Sequence, residues 1–138
     1  QKSIELPAVR FGEAYPCFVS SIDIDGNELA GIPMPDVSVP VATHTGFGPR
    51  HTETGGTGQI LEYLGSSVPF TIRKVSGAKD DRKPLMERYS GRDAYLDAIR
   101  QAAASLTSLG YLLKEDIPIC VEIAAERYDA VLQAQSTN

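Results

Sequence analysis

Pro33, Pro35 and Pro40 stand at intervals that leave no room for a regular helix or a central strand between them. Each removes a backbone donor and pushes the residue before it towards extended geometry. The segment is therefore expected to be an extended connector lying on something larger. In front of it, Tyr15, Phe18, Val19 and Ile22 lead into Asp25-Gly26, a dipeptide favoured in tight hairpins because both residues tolerate positive φ, and Glu28 to Ile32 is the natural return strand. Behind it, glycines at 46, 48, 55, 56, 58 and 65, with Pro49 and the run Thr52 to Thr57, predict a long loop with one short apolar turn at Ile60 to Leu64. Loops of that length are uncommon in compact domains and are usually functional or held by a partner. The charged, glycine-broken run Lys74 to Lys83 reads as a solvated surface link.

The last third is periodic instead. Ser90 is placed as an N-cap with Asp93 three residues on, and Tyr95, Ile99, Ala102, Leu106 and Leu109 recur at spacings of three and four. Gly110 stops that helix. A second helix starts near Asp116 with Pro118 in its first turn, and Ile117, Cys120, Ala124, Tyr128 and Val131 form its inner face. The short link Tyr111 to Lys114 favours an antiparallel helical hairpin. The chain is thus one region in three parts: extended with a β-hairpin over 1–43, loop over 44–83 and helical over 84–135.

With 138 residues, 42% hydrophobic and 22% charged, there is material for one domain with a modest core. Thirteen basic against eighteen acidic residues give a formal net charge of -5 with no basic stripe, which argues against nucleic acid as a partner. No apolar run approaches the roughly 20 residues needed to span a bilayer, and Gln1-Lys2-Ser3-Ile4-Glu5 has no signal-peptide core. A soluble protein without a membrane partner is expected. Opening on Gln1 suits a processed, nicked or trimmed product, secreted or periplasmic if processed. Cys17 and Cys120 are read as small buried hydrophobes, with a disulfide between them as the alternative.

Asp23-x-Asp25-Gly26-Asn27 imitates the opening of a calcium loop, but its sixth position is Glu28 where glycine is required and its twelfth is Met34 where a bidentate glutamate is required. A hairpin turn is expected there, and no metal site. His44 and His51 are the only imidazoles, so histidine acid–base chemistry must use them. His44, eight residues after Asp36, is read as structural or pocket-lining, with a catalytic base as the alternative; Thr45 and Phe47 complete the pocket-lining candidates. His51 is expected to be exposed. The glycines around Phe47 and Thr57 lack the strand, helix and Lys-Ser/Thr pair of a phosphate loop. Ser66 and Ser67 are expected to shape a turn before Val68-Pro69-Phe70, and Glu122, Glu126, Arg127 and Asp129 to occupy the wet face of the second helix. No cofactor is implied.

The order Asp23-Ile24-Asp25-Gly26-Asn27, Thr43-His44-Thr45-Gly46-Phe47 and Leu64-Gly65-Ser66-Ser67-Val68-Pro69-Phe70, continued by Glu87-Arg88-Tyr89, Arg92-Asp93-Ala94-Tyr95-Leu96 and Leu112-Leu113-Lys114-Glu115-Asp116, resembles the closing portion of a family of bacterial α/β-hydrolase-domain proteins described as serine esterases. The resemblance covers residues 13 to 132. It implies an α/β fold class, of which this chain is the C-terminal part, and a carboxylic-ester hydrolase working by serine acyl transfer. It also implies that the nucleophile and the triad histidine lie upstream of residue 1, since no Gly-x-Ser-x-Gly elbow occurs here and the family commonly carries tyrosine where His44 stands. The chain alone is then expected to be inactive. It would supply scaffold and pocket elements to the N-terminal catalytic part of the same protein, or to another copy, acting on a small ester. The alternative is a stand-alone, non-catalytic α+β binding or structural module, because family membership does not by itself fix a reaction.

Overall fold

A computed structural model describes residues 12, 13, 15, 16, 18–77 and 79–136. In chain order it holds a one-turn helix α1 (Pro35–Ser38), strands β1 (Ala42–Pro49) and β2 (Ile60–Pro69), a second one-turn helix α2 (Leu85–Arg88), and two long helices, α3 (Arg92–Ser108) and α4 (Ile117–Ser136). Short 3-10 turns occupy Thr52–Thr54 and Lys114–Asp116.

The middle of the chain departs from the sequence expectation. Instead of a loop over 44–83, β1 and β2 form an antiparallel ribbon running in register from Ala42↔Pro69 to Pro49↔Ile60. Of the glycines that suggest a loop, Gly46, Gly48 and Gly65 lie inside the ribbon, and at Gly65 it closes too tightly for a side chain: a Cβ there would stand 2.8 Å from the Thr45 carbonyl oxygen. The register shifts between Thr45 and Phe47, where Gly46 alone faces Tyr63, Leu64 and Gly65, and Tyr63 adopts φ 64°. A bulge of this kind bends the ribbon and sharpens its twist.

The turn at Asp25-Gly26 is real but smaller than expected. One isolated bridge joins Ile22 to Glu28, and no return strand reaches Ile32. The Asp23 carboxylate takes over the role of a ladder, its Oδ1 accepting from the amides of Asp25 at 2.9 Å and Asn27 at 2.8 Å. In the connector, Pro35 opens α1, since a first helical position needs no N–H.

The helical hairpin forms as the periodicity predicts, with local shifts. Gly91, not Ser90, precedes α3, and no side chain caps it. Tyr95, Leu96, Ile99, Ala103 and Leu106 face inward, whereas Leu109, the C-cap residue, stands in solvent. Gly110 takes φ 81° and donates to Thr107 while Tyr111 donates to Leu106, the paired bonds that close a helix end in the left-handed manner. Along α4, Ala124, Tyr128 and Val131 are buried, and Ile117 and Cys120 are half-buried. Tyr95 stacks on Tyr128 with ring centres 5.1 Å apart, and Arg92 meets Asp129, which sets the two helices antiparallel. Cys120 is a free thiol. Cys17 lies outside the described residues.

Two devices fasten the ribbon to the helices. Gln135 near the end of α4 accepts from the Ile72 amide at 2.9 Å and donates to the Phe70 carbonyl at 2.8 Å. Tyr89 donates its hydroxyl to the Pro40 carbonyl at 2.9 Å and meets Tyr95 edge to face. Val41, Leu85, Tyr95, Ile99, Ala124 and Tyr128 then share one core. Among the described residues the sheet is two-stranded and antiparallel, so a full α/β sheet is not on view.

Candidate functional site

The acidic turn that imitates a calcium loop is a clasp. Asn27, 1% exposed, donates through Nδ2 to the Ala42 carbonyl at 3.2 Å and accepts the His44 amide on Oδ1 at 2.7 Å, so one amide side chain closes the outer edge of β1. Asp25, also buried, receives both ends of the Arg88 guanidinium, and its carbonyl accepts from the Thr43 hydroxyl. Every carboxylate oxygen of the turn that the packing encloses is thus matched by an N–H of this chain. Among the described residues no three His, Cys, Asp or Glu side chains gather as a metal site would require.

Arg82 completes the clasp from the far side. It donates to the Thr43 hydroxyl at 2.7 Å, to the Val68 carbonyl at 3.0 Å and to the Pro69 carbonyl at 3.3 Å, while Asp80 holds it at 2.8 Å. That hydrogen bond from Arg82 keeps the Asp80 carboxyl down at about 2. The run Lys74 to Lys83 is therefore not wholly a solvated link, because two of its charges are folded against the ribbon. The Asp-x-Arg spacing was the available signal, and it has no periodicity to make it stand out.

Asn27→Ala is expected to lower stability by about 2–4 kcal/mol, since it strands the buried His44 amide and Ala42 carbonyl together. Urea denaturation of the two proteins measures this, and a change below about 1 kcal/mol would mean water replaces the amide at no cost.

Along the ribbon lies a cavity of about 320 Å³, open to solvent on one side, between β1, β2, α1 and α4. His44 and Ser67 are opposite residues of the ribbon, so their side chains project from one face. Ser67 Oγ is 2.9 Å from His44 Nδ1. Val41, Ala130, Val131 and Met34 supply apolar wall, and the Asp36–Arg127 ion pair joins α1 to α4 at the rim. Ser67 thus lies within a strand and not in a turn. Arg127 is exposed on α4 as expected, and it also borders the cavity, because the α1 turn brings Asp36 to meet it. Asp129 pairs with Arg92, while Glu122 and Glu126 are exposed.

Burial, and then the positive charge of Arg127, push the His44 pKa below its ordinary value, partly offset by Asp36. The cavity therefore contains a neutral imidazole at physiological pH. The unfolded chain binds this proton more readily than the native one, so the stability tied to His44 is intact above pH 6.5 and drains away as pH falls from 6.5 through the lowered native value. Native His44→Gln should lose less stability than the wild type between about pH 7.5 and pH 5. Equal losses in parallel denaturation series would contradict the burial of this ring.

A larger groove of about 680 Å³ runs along the outer side of β1 and brings His44, Thr45 and Phe47 together with Phe18, Val19 and Ile22. Thr45 donates its hydroxyl to the Phe47 carbonyl at 2.6 Å, and Phe47 is partly exposed. His51 stands in solvent near Glu53 at the ribbon tip. A third cavity, about 290 Å³, borders Arg82 and shares no wall residue with the one beside His44. Charge lines most of it, and it lacks an imidazole.

The described residues thus form a bulged β-ribbon clasped onto a helical hairpin, with an imidazole-bearing cavity at their junction and an exposed apolar flank. The profile of the alpha/beta hydrolase domain family matches residues 7–122, across the clasp, the ribbon, α3 and the start of α4, and the chain belongs to that family. No curated protein and no solved structure matches it.

Proposed function

We propose that this chain supplies scaffold and pocket elements to a carboxylic-ester hydrolase working by serine acyl transfer, with the nucleophile on polypeptide outside these residues. Family membership supports hydrolase chemistry. The sequence offers no Gly-x-Ser-x-Gly elbow, and Ser67, the hydroxyl beside the imidazole, lies within β2 without the strained turn that exposes a nucleophile. One observation carries the rest of the reading. Phe18 is 102%, Val19 87% and Ile22 60% exposed, an apolar flank that continues along the groove to Phe47 and suits burial against the catalytic portion of the same protein.

The test mixes the chain with a fluorophosphonate probe and a p-nitrophenyl ester, alone and then with the polypeptide that carries the serine elbow. No label and no turnover are expected from the chain alone, and turnover on mixing. A label on any side chain of residues 1–138 would overturn the proposal. A second reading, a stand-alone non-catalytic α+β module, draws on Leu85, Ile99 and Ala124, all fully buried in a core of the chain's own. It predicts that an apolar dye finds no site on the isolated chain; the hydrolase reading predicts dye binding that the catalytic portion displaces.

A further inference from the structure

We propose that the cavity beside His44 binds an uncharged, short-chain aliphatic ester, and discriminates against the free carboxylic acid of the same length. This names a substrate subsite and rests on the proposed function for its place in the reaction, though not for the binding itself. The charge balance of the walls carries the argument. Arg127 is the cation at the cavity and Asp36 neutralises it across the rim, while the partly buried His44 ring adds no charge in its neutral form. An entering carboxylate would leave water without gaining a counter-ion, which is costly. A carbonyl oxygen asks only for a donor. A guanidinium has five N–H groups, and a single carboxylate such as Asp36 takes up one edge of it at most, which leaves Arg127 donors at the rim for a carbonyl.

The apolar walls set the rest of the ligand. Val41, Ala130, Val131 and Met34 line the same space as the His44–Ser67 pair. At about 30 Å³ for each water-sized atom, the volume of about 320 Å³ takes roughly ten non-hydrogen atoms, the size of ethyl hexanoate. Ala130 reaches the cavity from an exposed position on α4, so a large side chain there fills it from outside the core.

The ¹⁵N-labelled full chain is titrated with ethyl hexanoate and, separately, with hexanoate near neutral pH. The ester is expected to shift the amides of Ala42, His44, Ser67 and Ala130 and to bind at least about tenfold more tightly than hexanoate. Arg127→Met should weaken ester binding several-fold, and Ala130→Trp, checked for native circular dichroism, should abolish it. Hexanoate binding as tightly as the ester, shifts that survive Ala130→Trp, or no localised shift would each overturn the inference. The two claims fail separately. If the assembled enzyme hydrolyses ethyl hexanoate with an unchanged KM when Ala130→Trp fills the cavity, the subsite is refuted and the proposed function stands. A fluorophosphonate label on this chain refutes the proposed function and leaves the binding result as measured.

Discussion

Arg88→Met is expected to destabilise the protein by about 3–5 kcal/mol, the cost of leaving a buried charge without its partner. The Arg88 and Asp25 side chains are 13% and 9% exposed, so water cannot rescue the carboxylate. The same guanidinium lies 4.1 Å above the ring of the fully buried Phe70 and donates to the Lys83 carbonyl at 2.6 Å. Its loss therefore unfastens the acidic turn, the end of β2 and α2 together. The double change Asp25→Asn with Arg88→Met should cost less than the sum of the two single changes, because the second removal takes away a charge already stranded. Chemical denaturation of the four proteins closes the cycle, and additive losses would show that the pair is not coupled.

Tyr95→Ala should cost a further large amount, about 3–5 kcal/mol, by emptying the centre of the aromatic stack. The ring is 1% exposed, stacked against Tyr128 at 5.1 Å and edge-on to Tyr89 at 5.0 Å. Tyr89 in turn holds the Pro40 carbonyl, so the cavity left by Tyr95 borders a long-range tie between the connector and the flank of α2. Tyr95→Phe keeps the ring and should stay within about 1.5 kcal/mol of the wild type. A thermal shift of similar size for both variants would place the energy in the hydroxyl and not in the packing.

The helical hairpin was legible because its signals are local. Residues three and four apart lie on one face whatever surrounds the helix, so Tyr95, Ile99 and Leu106 declared an inner stripe, and the termination at Gly110 needs only its own backbone freedom. The ribbon was not legible. Its glycines look like loop residues until the opposing strand is in place, and the contact that excludes a Cβ at Gly65 comes from Thr45, twenty positions away in the chain. The clasp was hidden for the same reason: Asp25 and Arg88 are separated by 63 residues, and nothing in either neighbourhood announces the other.

The chain's own order of residues established two helices, the absence of a serine elbow, a turn at Asp25-Gly26 and membership of a hydrolase family, since each depends on short-range spacing or on motif identity. Which charges meet was decided only by the fold. Packing placed Arg127 against Asp36 and Ser67 against His44, and so made a neutral cavity from residues that composition alone would scatter over a wet surface. Electrostatics in a folded protein follows distance through space, and that distance exists only once the ribbon lies on the helices.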